Sequence, residues 1–549
     1  MKTLLYFFLL FFVSLSFSQS GLLQPKSTFT RQDSLRGAIT PEREWWDLLK
    51  YNLYVKVDPD QKSIEGRNTI TYRVIDPGSS MQIDLQPPLE ITGVTQKGNS
   101  LDYEREGNVY FINTEELETG REGKITITYE GVPVEAKRPP WDGGFTWSKD
   151  GNGNHFIATS NQGLGASVWW PCKDHMYDEP DRGMTMSYNV PGELIAVGNG
   201  RLIKKKKEKD GTRTFTWEVV NPINNYGVNL NAADYVNWND TYDGEKGKLD
   251  LSFWVLRENK EKAKDHFQDV YRTLEAFEYW FGPYPFYEDS YKLVEVPYLG
   301  MEHQSSVTYG NKYMNGYLGR DLSGTGQGLK WDYIIIHESG HEWFANNITY
   351  IDIADMWIHE GFTSYSESLF VEYHYGKEAA SEYTRGLRWG IENVETIIGP
   401  YGVNKEGHPD MYPKGHNMLH TIRQIVNDDE KWRNILRGLN QDFYHQTVST
   451  EDIENYISEK SGIDLSKVFD QYLRNTEIPT LVYRINRQGV LYKWINCVEG
   501  FDMPVKVQID DEEVWLKPTT EYNALQKAGV ENFTIDPDFY VGYLNMMGE

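Results

Sequence analysis

The chain has 549 residues and only two cysteines, Cys172 and Cys497. That excludes a disulfide-stapled scaffold and a cysteine-rich zinc module, and the pair is read as two unpaired, buried thiols. Basic residues are also in deficit. Lys and Arg number 55 against 81 Asp and Glu, a net charge of −26. So acidic a chain is poorly suited to nucleic acid or to an anionic membrane surface, and neither is expected as a partner. Internal repeats and low-complexity tracts are missing. Past the N-terminus no apolar run is long enough to span a bilayer. What remains is a globular composition, 39% hydrophobic and 14% aromatic, with length for several domains of ~150 residues.

The N-terminus reads as a secretory signal peptide over residues 1–18. Lys2 supplies the basic start, Leu4 to Val13 the apolar run, and Ser16 and Ser18 the small positions before cleavage. The run is shorter than the ~20 residues of a spanning helix, and no cysteine follows it for lipid attachment. The expectation is an exported protein, periplasmic or secreted, with no stable membrane insertion.

From about residue 22 to 256 the hydrophobic period is two, as in Tyr51–Val57, Thr69–Val74, Lys124–Tyr129 and Leu249–Val255. This predicts a large N-terminal β domain. The lysines at 204–207, just before Asp210-Gly211, read as a solvated hairpin arm. From 257 to 476 helical spacing dominates, beginning with Phe267, Val270, Tyr271, Leu274, Phe277 and Phe281. Ser449-Thr-Glu-Asp452 reads as a helix start. Residues 477–549 return to strands and predict a small β-sandwich. The fold class is therefore α+β and multidomain.

The most informative segment runs from Trp331 to Phe344 and contains His337-Glu338-Ser339-Gly340-His341. On a helix, positions i and i+4 share a face, so both imidazoles can converge on one ion, with Glu338 beside them. The motif is set in an apolar stretch, Ile334 to Ile336 before it and Trp343-Phe344 after it. A buried helix does not carry such groups without partners. Glu360 follows His341 after 18 intervening residues and completes a two-His, one-Glu donor set, which leaves one zinc position open for chemistry. His359 is read as structural or surface, its side chain pointing elsewhere.

This spacing resembles the zinc signature of the aminopeptidase N family of gluzincins. Three other blocks resemble the family's motifs: Leu299-Gly300-Met301-Glu302-His303, its exopeptidase motif; Tyr412-Pro-Lys-Gly415, its tyrosine block; and Ser160-Asn-Gln162 with Pro171-Cys-Lys-Asp174, its β-domain loop at the active site. The resemblance implies an N-terminal antiparallel β saddle, a thermolysin-like catalytic domain with one zinc, and the small β-sandwich. It leaves no room for the large helical domain of many members. It also implies peptide substrates with a free N-terminus. Glu338 would be the general base and Tyr412 the oxyanion donor. Gly300, Met301, Glu302 and His303, with Gln162, would form the amine-binding region. Leu299 and His303 depart from the family's glycine and asparagine, and some members carry an acidic residue where Gln162 stands.

Two other readings use the same metal site: a zinc endopeptidase, which needs no ammonium-binding Glu302, and an inert peptide-binding homologue. Nothing in the sequence selects for the epoxide-hydrolysing activity of one family branch. Asn347-Ile-Thr349 is a glycosylation sequon six residues past a zinc ligand, where a glycan is hard to accommodate. With the leader it favours a bacterial origin.

Overall fold

Alternation of apolar and polar side chains builds the first half of the chain. In the computed structural model, which describes residues 28–546, Trp46–Asp58 and Ser63–Val74 bury alternate residues because successive side chains in a strand face opposite sides. They lie at the centre of an eight-stranded sheet. Leu53, Val55, Ile70, Ile125, Ile127 and Met186 from its strands are fully buried in one core. The expected antiparallel saddle has one exception: Trp46–Asp58 pairs in parallel with Met184–Val190. A second sheet of four strands includes His155–Ser160, whose end leads into Gln162. The lysines at 204–207 lie exposed on a hairpin arm, paired with Arg213–Val219. The expected signal peptide lies outside the described residues.

The domain boundary drawn at 256/257 falls inside one structural unit. Tyr235–Gly244 and Gly247–Leu256 form a hairpin that joins the five-stranded sheet of the second domain. Its second strand pairs in parallel with Tyr291–Glu295. Val307–Tyr309 and the edge strand Gly300–Met301 complete that sheet. The shift of period at 257 marks a passage from strand to helix within this sheet-and-helix unit. Gln268–Phe281 then buries Val270, Leu274, Phe277 and Phe281 in one core with Ile334 to Ile336 of the motif segment. The expected helix start at Ser449 is a full capping box with Asp452.

The C-terminal module consists of a four-stranded sheet around Thr480–Asn486 and Gly489–Ile495 and a three-stranded sheet around Val505–Ile509. Three of its strands, Asn523–Gln526, Phe533–Ile535 and Gly542–Asn545, are only three or four residues long, too short to leave an alternation signal. Cys172 is buried and Cys497 only partly so; both are free. Among the described residues no helix is long and apolar enough to cross a membrane.

Candidate active site

Asp332 starts the motif helix, Tyr333–Gly340, by accepting hydrogen bonds from the N–H groups of Ile334 and Ile335 at 2.9 and 3.2 Å. His337 lies within this helix and His341 caps its end, one turn on. Glu360 comes from a second buried helix, Trp357–Tyr375. The three residues converge. Glu360 Oε2 is 3.6 Å from His337 Nε2 and 3.3 Å from His341 Nε2.

The other ring nitrogens are already engaged. His337 Nδ1 is 2.7 Å from Glu367 Oε1, and His341 Nδ1 is 3.0 Å from both the Phe344 carbonyl and Thr363 Oγ1. Protons held at Nδ1 leave both Nε2 lone pairs facing Glu360. Glu360 Oε2 is buried without a hydrogen-bond partner. An anionic oxygen and two lone pairs turned toward one point, away from water, require a cation. Two nitrogens and one oxygen with a further position open suit zinc. Glu367 and Thr363 escaped the sequence reading. Glu367 follows Glu360 by seven residues, two turns on the same helix face, which was the available signal.

The cleft over these residues has a volume of about 490 Å³. Glu338 lines it with Gly300, Met301, Glu302, Gln162 and Tyr412. The edge strand lies hard against the motif helix: a methyl group on Gly300 would meet Ile334 Cγ2 at 2.5 Å and Glu338 Oε1 at 3.1 Å. Glu302, Glu338 and His341 bring one oxygen or nitrogen each to within 4.8 Å of one another. Gln162 spans the two domains. Its Nε2 donates to Glu302 Oε1 at 2.8 Å and to Glu360 Oε1 at 3.0 Å. Tyr226, also unanticipated, donates its hydroxyl to Glu302 Oε1 at 3.1 Å. Tyr412 stands at the head of the helix Pro413–Val426. That helix approaches the Glu360 helix through glycines, a methyl on Gly415 coming 3.0 Å from Gly361 Cα. The Tyr412 ring lies nearly parallel to His337, 6.1 Å between centroids.

Burial and charge set the protonation of these groups. Burial pushes the Glu338 carboxyl up to about 8, with His337 and His341 pulling it down and Glu302 and Glu360 adding to the rise. Burial also raises Glu302. It opposes ionisation of Glu360, but positive charge on the two imidazoles, a role that a bound cation would take over, prevails and holds that carboxyl well below its usual range. Burial, then the Glu360 and Glu302 carboxylates, hold the Tyr412 phenol far above its ordinary value, so it is protonated and able to donate.

His303 does not line the cleft. The chain turns there, Ser306 N–H bonding to the His303 carbonyl at 2.9 Å, and the ring is carried into the interior beside Thr308 Oγ1 at 3.3 Å. Burial lowers it to about 3. Its place in the amine-binding region is therefore corrected to the packing behind it. Leu299 does line the cleft. His359 is structural and fully buried, not on the surface. Its Nε2 accepts from the Tyr350 N–H at 3.0 Å and its ring stacks on Tyr350. Asn347 is buried too, bonded to Asn440 Oδ1 at 3.1 Å, which leaves no room for a glycan.

The Peptidase M1 N-terminal domain family matches residues 48–226, and the Peptidase family M1 domain matches residues 266–472. The chain belongs to peptidase family M1. It is 23% identical over 472 residues to Probable aminopeptidase 1 of Sulfurisphaera tokodaii, covering 81% of this chain and 55% of that protein. It is 23% identical over 454 residues to Aminopeptidase N of Lactococcus lactis, covering 78% of this chain and 51% of that protein. The M1 chain thus spans about half the length of these curated relatives. A mutant M1 zinc metallopeptidase from Deinococcus radiodurans, bound to a Tyr-Ser-Ala substrate, shares the fold. Its TM-score is 0.66 at 19% identity, over 80% of this chain and 97% of that one.

Proposed function

We propose that this chain is a zinc aminopeptidase that releases N-terminal residues from peptides. The observation that carries the reading is the Glu302 carboxylate, held by Gln162 and Tyr226 within 4.8 Å of His341 and Glu338. Four buried glutamates, 302, 338, 360 and 367, surround two histidines. A divalent ion at His337, His341 and Glu360 and a substrate ammonium at Glu302 would offset most of that negative charge.

Zinc held there would supply the positive charge that polarises the scissile carbonyl and acidifies the attacking water. The positive charge of a cation held beside it would bring the Glu338 carboxyl down from about 8, so that Glu338 is ionised, accepts the proton of that water and delivers it to the leaving nitrogen. Tyr412 donates its hydroxyl to the developing oxyanion, a contribution of ~2.7–4 kcal/mol for one such donor. Glu302 binds the α-ammonium with a charge-assisted hydrogen bond, and Gln162 adds a neutral one. The site thereby fixes which peptide bond faces the reacting groups.

Export is part of the same proposal and is supported by the sequence of residues 1–20 alone. The test of the activity is a panel of aminoacyl chromogenic substrates assayed before and after chelation. Hydrolysis that is lost with the metal and restored by zinc supports the reading. Hydrolysis undiminished in metal-free protein refutes it.

A further inference from the structure

Tyr226 has one hydroxyl proton and two neighbours able to take it. Glu302 Oε1 lies 3.1 Å from its oxygen and His359 Nδ1 lies 3.5 Å away. All three residues are buried, so bulk water does not compete. The direction of the Tyr226 hydroxyl therefore depends on what His359 presents at Nδ1. A lone pair there would draw the proton away from Glu302. An N–H there would donate to the phenol oxygen and leave the proton to Glu302 alone.

The far end of the ring decides between them. His359 Nε2 accepts the Tyr350 N–H at 3.0 Å, so Nε2 carries a lone pair and the ring proton sits at Nδ1. Turning the ring over would set a carbon against that N–H, and the ring is stacked on Tyr350 with 4.2 Å between centroids. The Tyr350 N–H, the His359 imidazole and the Tyr226 hydroxyl thus point one way, each donating to the next and the last to Glu302 Oε1. Bonds in such a series polarise one another. Gln162 donates to the same oxygen at 2.8 Å. We infer that His359 is a positioning residue for the ammonium site. It acts through Tyr226 without touching substrate, directing the hydroxyl proton to Glu302 Oε1 so that Oε2 is left for the amine. The inference rests on the aminopeptidase reading of Glu302.

Two conservative variants separate this role from packing. Glutamine has a carboxamide oxygen at the reach of Nε2, so His359→Gln can keep the Tyr350 bond but sets no donor against Tyr226. Asparagine has its carboxamide nitrogen at the reach of Nδ1, so His359→Asn keeps that donor and gives up the Tyr350 bond. The measurement is calorimetric binding of Ala-Ala-Ala and its N-acetylated twin to zinc-loaded Glu338→Gln protein, in which turnover does not enter. His359→Gln, added to that background, should weaken the free peptide roughly three- to tenfold, as for one neutral hydrogen bond, and leave the acetylated twin unmoved. His359→Asn should stay within about twofold of the parent. Tyr226→Phe should also weaken the free peptide, and His359→Gln should then add nothing, because its effect passes through Tyr226. Free-peptide affinity unchanged in His359→Gln, or a loss that persists in full on the Tyr226→Phe background, would overturn the inference. The parent alone tests the reading beneath it. Equal affinity for the two peptides would refute the ammonium site, whereas a preference for the free peptide that His359→Gln leaves intact refutes only the role of His359.

Discussion

Glu367 Oε1 lies 2.7 Å from His337 Nδ1, and both groups are buried. This contact fixes which imidazole nitrogen carries the proton and turns Nε2 toward Glu360. Glu367→Ala should therefore weaken zinc binding by ~10–100-fold, measured by competition with a chromogenic chelator. Zinc-saturated protein should keep most of its turnover. Zinc affinity within twofold of the parent would show that the packing around His337 orients the ring without Glu367.

In the proposed mechanism Glu338 stands beside the three ligands without being one of them. Glu338→Gln should retain one zinc per chain by elemental analysis and lose ~10²–10⁴-fold in kcat, the worth of general-base catalysis. His337→Ala or His341→Ala should lose metal and activity together. A Glu338→Gln protein that no longer binds zinc would place Glu338 among the ligands.

In the proposed mechanism Tyr412 acts late. Its hydroxyl is protonated and its bond forms mainly with the oxyanion, so Tyr412→Phe should lower kcat far more than it changes KM. Steady-state kinetics on one aminoacyl substrate decides this. An unchanged kcat would remove Tyr412 from the mechanism.

Under the proposed function Glu302 and Gln162 differ in the strength of what they would offer the amine. Glu302→Ala removes a charge-assisted bond of ~1.5–3 kcal/mol and should cost roughly ten- to a few hundred-fold in kcat/KM. Gln162→Ala should cost less. A free α-amine has a pKa near ~8, so kcat/KM should decline above that pH as the ammonium is lost. A kcat/KM that rises steadily from pH 7 to 10 would mean that the site does not need the cation.

Much of this site was legible because its residues are tied together by helical spacing. His337, Glu338 and His341 fall on one turn, and Glu360 follows at a distance that a second helix can bridge. What escaped depended on tertiary direction. The hairpin Tyr235–Leu256 alternates just as any strand does, and only its distant parallel partner Tyr291–Glu295 reveals which sheet it joins. His303 stands next to Glu302 in sequence, but the turn closed by Ser306 carries it out of the cleft. Tyr226 is one tyrosine among 37, and nothing local marks it as the partner of Glu302, 76 residues away.

The central claim is that Glu302 makes this site an exopeptidase by binding the substrate's α-ammonium. Its most direct test is a side-by-side assay of one peptide and its N-acetylated twin with zinc-loaded protein. Acetylation removes the positive charge and leaves the scissile bond chemically equivalent. The account predicts rapid release of the first residue from the free peptide and near inertness of the acetylated one. Comparable cleavage of both would contradict it and make the site that of an endopeptidase.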